Sequence, residues 1–182
     1  PLEIQDETLV MTFQEGTTRL FFAADDGSGA PELLAANSCN GVEFVPLAGG
    51  ALVDPTTDWA VGGVVDAAVG FFGDGQAALL TGLDADGLRS IGRMSAANNA
   101  LDWAIATNPV VNPGAAGEWD GDGVFDPDWL DSGTVVDVYF SAGAGWGESI
   151  GHASGSSFGS LTREGDEALA NGSDGQVLTP DL

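Results

Sequence analysis

Short apolar runs separated by turns are the dominant pattern along the chain of 182 residues. Runs rich in β-branched and aromatic residues are typical of strands. Five such runs are residues 9–13, 18–23, 42–47, 77–81 and 134–140. Asp-Gly and Asn-Gly pairs between the runs favour tight turns. The pattern therefore predicts a mainly β fold in which antiparallel strands form a β-sandwich.

Three further segments predict short helical insertions among these strands. Residues 30–36 place Pro31 where a first helical turn accepts proline. Residues 58–72 are apolar with many small side chains, and residues 95–106 could form a helical turn. Because Ala-rich and Val-rich segments also suit alternating strands and helices, a doubly wound α/β fold is the alternative.

The organisation along the chain favours a single domain over residues 1–182. This length falls within the usual range for one domain, and no linker or fixed-period repeat is evident in the sequence. A long Gly/Ser-rich stretch at about residues 142–160 contains several apolar side chains. We therefore expect it to be an ordered loop.

The charge of the chain excludes several functions. There are 28 acidic and 4 basic residues, which gives a formal net charge of -24. Nucleic acids and anionic membranes attract cationic proteins, so neither is an expected partner. No apolar run approaches the roughly 20 residues that span a bilayer. Because 43% of the residues are hydrophobic, the chain can still build a core, unlike a disordered acidic chain.

The composition also bears on the environment of the protein. The four basic residues are all Arg, and the single cysteine, Cys39, excludes an intrachain disulfide. Such acidity is typical of halophilic proteins and of exported proteins in calcium-rich media, where cations offset self-repulsion. The composition does not separate these settings. We expect a secreted or cell-surface protein.

Residues 118–131 carry the densest alternation of acidic side chains. Ca²⁺ binds six to eight oxygens, and alternating ligands on a curled loop can converge on it. The spacing resembles that of EF-hand, dockerin and thrombospondin type-3 loops, with Gly123 at the turn and Phe125 as an apolar anchor. The predicted ligands are Glu118, Asp120, Asp122, the Val124 carbonyl, Asp126, Asp128 and Asp131. A solvated acidic turn is the alternative, because Trp129 replaces the carboxylate expected at the twelfth position.

Three tryptophans, each next to an aspartate, suggest an aromatic surface. Trp119, Trp129 and Trp103 could form a rim that contacts a sugar or a protein. Packing in the core is the alternative, because each tryptophan buries a large apolar area.

Residues 77–140 resemble the spondin N-terminal domain family, including its bacterial relatives. The matching motifs are Leu88 to Met94, Asn98 to Trp103, and Asp131 to Thr134. The proline-rich part of the first motif is missing. The resemblance implies a C2-like β-sandwich with calcium in loops at one end. It also implies that Asp102 joins Asp131 as a calcium ligand.

These features favour a non-enzymatic, calcium-binding module for adhesion or attachment to a matrix or surface. Its partner would be a protein or carbohydrate ligand, and a homo-oligomer is possible. The first alternative is a structural subunit of an extracellular filament or surface layer. The second is a carbohydrate-active enzyme that uses paired carboxylates, although no pair stands out in so acidic a chain.

Overall fold

The computed structural model describes residues 3–13, 17–25, 27, 29–47, 50–53, 56–73, 75–97, 102–143, 149–165 and 168, and for residues 3–13 it describes the backbone. Twelve strands and one 3-10 helix lie within these residues. The strands are β1 Glu3–Phe13, β2 Thr17–Asp25, β3 Glu32–Ser38, β4 Val45–Pro46, β5 Gly63–Phe72, β6 Gly75–Leu83, β7 Arg89–Ala97, β8 Ala104–Ile105, β9 Val124–Asp131, β10 Val136–Ala142, β11 Ser149–Gly155 and β12 Thr162–Arg163. The 3-10 helix is Phe158–Ser160.

The strands form three sheets of four, each built from consecutive strands. The first sheet has the order β1-β2-β3-β4, the middle sheet β5-β6-β7-β8, and the third sheet β9-β10-β11-β12. All neighbouring strands pair antiparallel. The prediction of a mainly β, antiparallel fold is confirmed.

Two apolar cores hold the three sheets together. Strand β6 shows the arrangement, because its side chains alternate between them. Ala78 and Leu80 belong to the core with the first sheet, whereas Ala77 and Leu79 belong to the core with the third sheet. The middle sheet is therefore covered on both faces.

Stacked four-stranded meanders of this kind are the blades of a β-propeller. In a propeller, the first strand of each blade lies next to the central axis. Here β5 lies against both β1 and β9, the first strands of the neighbouring sheets. The three sheets therefore have the arrangement of consecutive blades, with their first strands brought together along one side.

The helical insertions are where structure and sequence differ. Residues 30–36 lie largely in β3, residues 58–72 lead into β5, and residues 95–106 include the end of β7 and β8. Strands that are buried on both faces lose the alternation of apolar and polar residues, which makes them hard to distinguish from buried helices. Strand β11 and the 3-10 helix also lie within residues 142–160, where we expect a loop.

The described residues include no helix that is both long enough and apolar enough to cross a membrane.

Candidate functional site

The first strands of the three sheets each carry an aspartate at an equivalent position. Asp6 lies in β1, Asp66 in β5 and Asp126 in β9. They are 60 residues apart in both intervals. Because these strands lie side by side, the topology brings the three positions to one region of the molecule.

Each of these positions also lies beside an irregularity in strand pairing. The register shifts between Ile4 and Asp6 in β1, and between Val64 and Asp66 in β5. In the third sheet it shifts between Tyr139 and Ser141, opposite Asp126. Such bulges change the direction of a side chain and are frequent next to active sites. The repeated bulge marks these positions as a candidate site.

Thr81 joins the aspartates of the middle and third sheets. It is Asp66's pairing partner in β6, and it is fully buried. Its Oγ1 accepts a hydrogen bond from the backbone N–H of Asp126, with N and O 3.0 Å apart. The hydroxyl therefore fixes the backbone of one aspartate beside the strand position of the other.

The local backbone shows why these aspartates are held in place. Asp66 is 9% exposed. Asp126 has a φ of 47°, and among the described residues other than glycine it alone has a positive φ. A side chain in this region is disfavoured and persists where its surroundings impose it. Position 126 is thus a strained position that bears a carboxylate.

A glycine precedes two of these aspartates by three residues and shapes the entry to the strand. Gly63 has a φ of 119° and Gly123 a φ of 140°. Both values favour glycine, and a Cβ at Gly63 would come within 2.7 Å of Pro31. These turns set where β5 and β9 begin, and hence where their aspartates lie.

The first part of the predicted calcium loop forms an ion-pair cluster with Arg163 of β12. Asp120 is fully buried, and its Oδ2 accepts a hydrogen bond from Nη1 of Arg163. Nη2 of Arg163 lies 3.5 Å from Oε2 of Glu118. The same Glu118 oxygen accepts a hydrogen bond from the N–H of Ala115 at 2.9 Å. These two carboxylates therefore face an arginine.

The second part of the predicted loop is a strand. Val124 is buried at the start of β9, and Asp128 lies farther along it. Asp131 ends the strand, and its Oδ1 accepts a hydrogen bond from the N–H of Gly133 at 2.7 Å. A strand spreads alternate side chains along one face, so these ligands do not curl around one point.

The remaining predicted ligands, Asp122 and Asp102, are exposed. Among the residues that the structure describes, no group of three acidic, histidine or cysteine side chains is placed to hold a metal ion. Calcium binding by residues 118–131 stays a prediction, and a thermal melt with EDTA and with excess Ca²⁺ tests it.

The three predicted rim tryptophans all pack against apolar cores. Trp103 is 6% exposed and meets Phe21 edge to face, with ring centres 5.9 Å apart. Trp129 packs edge to face on Phe158 at 5.0 Å. Trp119 stacks on Phe140, and its Nε1–H donates to the carbonyl of Gly165. These contacts correspond to the core-packing alternative.

The equal spacing of Asp6, Asp66 and Asp126 is present in the sequence, but the pattern of apolar and polar residues does not reveal it. Apart from the aspartates, the repeat matches mainly in apolar character: Ile4, Val64 and Val124 share one position. The spondin-like motifs stay a prediction, and Asn98 and Asn99 of the second motif lie outside the described residues.

Several known structures with the same fold are glycoside hydrolases. A family 117 glycoside hydrolase of the marine bacterium Zobellia galactanivorans matches 90% of this chain with a TM-score of 0.72 and 15% identity; the match covers 55% of that structure. Fructan 1-exohydrolase IIa from Cichorium intybus matches 90% of this chain with a TM-score of 0.73 and 18% identity, over 32% of its own length. A thermostable family-43 glycoside hydrolase matches the whole chain with a TM-score of 0.65 and 16% identity, over 55% of its own length.

No protein-family model and no curated protein sequence matches the chain. The chain spans between about a third and somewhat over half of the structures named above. At these identities the likeness establishes the fold. It also contradicts our prediction of a non-enzymatic adhesion module, because the similar structures named above are enzymes that hydrolyse glycosidic bonds. The alternative that it favours is the carbohydrate-active enzyme with paired carboxylates.

Proposed function

We propose that this chain contributes the carboxylates of a glycoside hydrolase site, with Asp66 and Asp126 as the catalytic pair. The observation that carries the proposal is the repeated, bulged aspartate on three adjacent first strands, two of them joined through Thr81. The glycoside hydrolases that share the fold support it.

Glycoside hydrolysis needs two carboxyl groups on opposite sides of the bond that breaks. One, as the acid, gives its proton to the glycosidic oxygen, which leaves with the departing sugar. The other, as a carboxylate, attacks the anomeric carbon or removes a proton from the attacking water. Asp66 and Asp126 come from adjacent sheets whose first strands are in contact. A sugar bound where these strands meet would have carboxyl groups supplied by two separate elements.

The position of Asp6 extends this arrangement to the first sheet. It occupies the equivalent strand position, with the same shift in register. The backbone therefore makes position 6 the third member of the repeat.

A screen of oligosaccharides and polysaccharides, with release of reducing sugar as the readout, tests the proposal. We expect turnover of at least one glycan. Asp66→Asn or Asp126→Asn should then lower kcat by about 10²–10⁴-fold, the usual contribution of a general acid or base. The matched control is Asp86→Asn, the same change at an exposed turn residue.

Rescue by a small nucleophile assigns the two roles. In a retaining enzyme, a glycosyl azide of inverted configuration from Asp126→Ala identifies Asp126 as the nucleophile, and one of retained configuration identifies it as the acid; Asp66→Ala should give the other anomer. Equal activity of both asparagine variants and the Asp86→Asn control would refute the proposed pair. Absence of turnover on every glycan would refute the enzymatic function itself.

A further inference from the structure

The chain has a polar groove whose lining includes neither Asp66 nor Asp126. It measures about 440 Å³ and lies between the outer edge of the middle sheet and the 3-10 helix of the third sheet. Arg93 of β7 pairs with Leu79 of β6, which pairs with Ala68 of β5. Two strand spacings of roughly 5 Å therefore separate Arg93 from β5. The groove is distinct from the proposed catalytic pair.

The walls of the groove combine apolar surface with accessible polar groups. Its main lining residues are Arg93, Thr107, Asn108, Pro109, Phe158 and Leu161. Thr107 and Asn108 are exposed, and neither side chain hydrogen-bonds to another described residue. Apolar walls with a few convergent polar groups are typical of small-molecule sites, and the volume is within their usual range.

Arg93 differs from Arg163 and Arg19, two of the three other arginines of this acidic chain. Arg163 pairs with Asp120 and Glu118, and Arg19 donates to Oδ1 of Asn37 at 2.9 Å. By contrast, Arg93 forms no ion pair with any described carboxylate. Its guanidinium carbon lies 5.5 Å from the centre of the Phe158 ring.

The Nε atom of Arg93 strengthens this contrast. It is enclosed and has no hydrogen-bond partner among the described residues. An arginine offers five N–H donors in a fixed plane, and a buried donor without an acceptor is unfavourable. The contact with the Phe158 ring uses none of these donors. Arg93 is therefore a cation that lacks an acceptor among the described residues.

We propose that this groove binds an oxyanion-bearing sugar unit, either a uronic acid or a sulfated sugar, with Arg93 as the anchor. A planar guanidinium matches the two oxygens of a carboxylate or sulfate. Thr107 and Asn108 supply polar groups for sugar hydroxyls, and the apolar wall faces the ring. The choice of a sugar rests on the proposed function, whereas the choice of an anion rests on Arg93.

Because the chain is strongly acidic, an anionic sugar needs a local cation such as Arg93 in order to bind. A formal charge of -24 repels anions at long range, so an anionic sugar gains nothing from the general surface. At physiological salt the repulsion is screened beyond about 8 Å. A local cation then decides whether the anion is held.

The test is calorimetric titration of the full chain at physiological salt with three ligands: methyl galacturonide, galactose 6-sulfate and the neutral methyl galactoside. We expect at least one anionic sugar to bind. The neutral sugar should bind at least about tenfold more weakly than that anionic sugar. Binding of the carboxylate alone identifies a uronic acid site, and binding of the sulfate alone identifies a sulfate site. Equal binding of neutral and anionic sugars, or no binding of any, would overturn the proposal.

Variants then locate the bound sugar. Arg93→Gln should weaken anionic binding at least about tenfold, and Arg93→Lys should give an intermediate loss because it keeps the charge without the fork. Glu43→Gln, at an exposed position, changes the net charge by one unit elsewhere and should leave binding unchanged. Thermal melts show whether each variant folds. If Arg93→Gln does not fold, Asn108→Ala serves as the second variant and should also weaken anionic binding.

The same titration on Asp126→Asn separates this inference from the proposed catalytic site. Anionic binding should persist in Asp126→Asn and fall in Arg93→Gln. Loss in Asp126→Asn with full binding in Arg93→Gln would place the sugar at the first strands and overturn the groove assignment. The hydrolytic function would remain open to its own test.

Discussion

Residues 118–123 and residues 124–131 belong to one acidic run, but the fold uses them in different ways. In the first part, Asp120 and Glu118 face Arg163 and anchor a turn to β12. In the second part, Asp126 lies in a strained, bulged position beside Thr81. Asp120 and Glu118 contact Arg163, whereas Asp126 lies where the first strands of two sheets meet. Even spacing along a chain therefore does not mean that side chains share a site.

The comparison predicts that the same chemical change, aspartate to asparagine, lowers stability by different amounts in the two parts. Asp120→Asn should lower the free energy of unfolding by about 3 kcal/mol, because it leaves Arg163 without its buried partner. Asp126→Asn should cost less than about 1 kcal/mol, because its side chain is only partly buried. Urea unfolding of both variants measures the difference. A larger loss for Asp126→Asn would invert the assignment of structural and functional parts.

Gly123 lies where the two parts join. Substituting it should give the next largest loss of stability, because of its backbone conformation. With a φ of 140°, Gly123→Ala should cost about 2 kcal/mol, because an L side chain is disfavoured there. Gly165→Ala is the control, since an added Cβ there meets nothing within 4 Å and no positive φ is required. If the two variants unfold at the same urea concentration, the turn does not set the start of β9.

How much of this could be predicted from sequence depends on how local each feature is. Residues 18–23, 77–81 and 134–140 match β2, β6 and β10, because their side-chain chemistry favours strands by itself. Strand β5 contains Ala67, Ala68 and Gly70 and is buried on both faces, so its pattern suggests a helix as readily as a strand. Its identity depends on the sheets that cover it.

The candidate site was harder to predict than the fold. Asp6, Asp66 and Asp126 are far apart in sequence, and the stacking of three sheets brings their strand positions together. The run at residues 118–131 is the most conspicuous acidic pattern, but its ligands separate because β9 begins in the middle of it. The interaction of Asp120 with Arg163 spans 43 positions, and spacing within the run does not indicate it. The repetition of aspartate every 60 residues, about the length of one blade, is the sequence signal that indicates the site.

Thr81 tests whether the position of Asp126 is imposed from the neighbouring sheet. Thr81→Val keeps the shape of the side chain but leaves the N–H of Asp126 without its acceptor. We expect a loss of about 1.5 kcal/mol in the free energy of unfolding, together with lower turnover if the proposed pair is catalytic. Thr81→Ser keeps the hydroxyl and should retain most of both. Equal behaviour of the valine and serine variants would show that the hydrogen bond does not position Asp126.

Of the substitutions considered, Glu118→Gln should have the smallest effect on stability, and it tests whether Arg163 depends on Asp120 alone. Its side chain is 51% exposed, and its Oε2 lies 3.5 Å from Arg163. The amide of Glu118→Gln can still accept the hydrogen bond from Ala115, so only the charge is lost. Exposed ion pairs contribute little, and we expect a loss of about 0.5 kcal/mol that disappears in 1 M salt. Urea unfolding at low and high salt measures it. If Glu118→Gln lowers the free energy of unfolding as much as Asp120→Asn does, Arg163 needs both carboxylates. The ion pair between Asp120 and Arg163 would then not dominate the stability of residues 118–123.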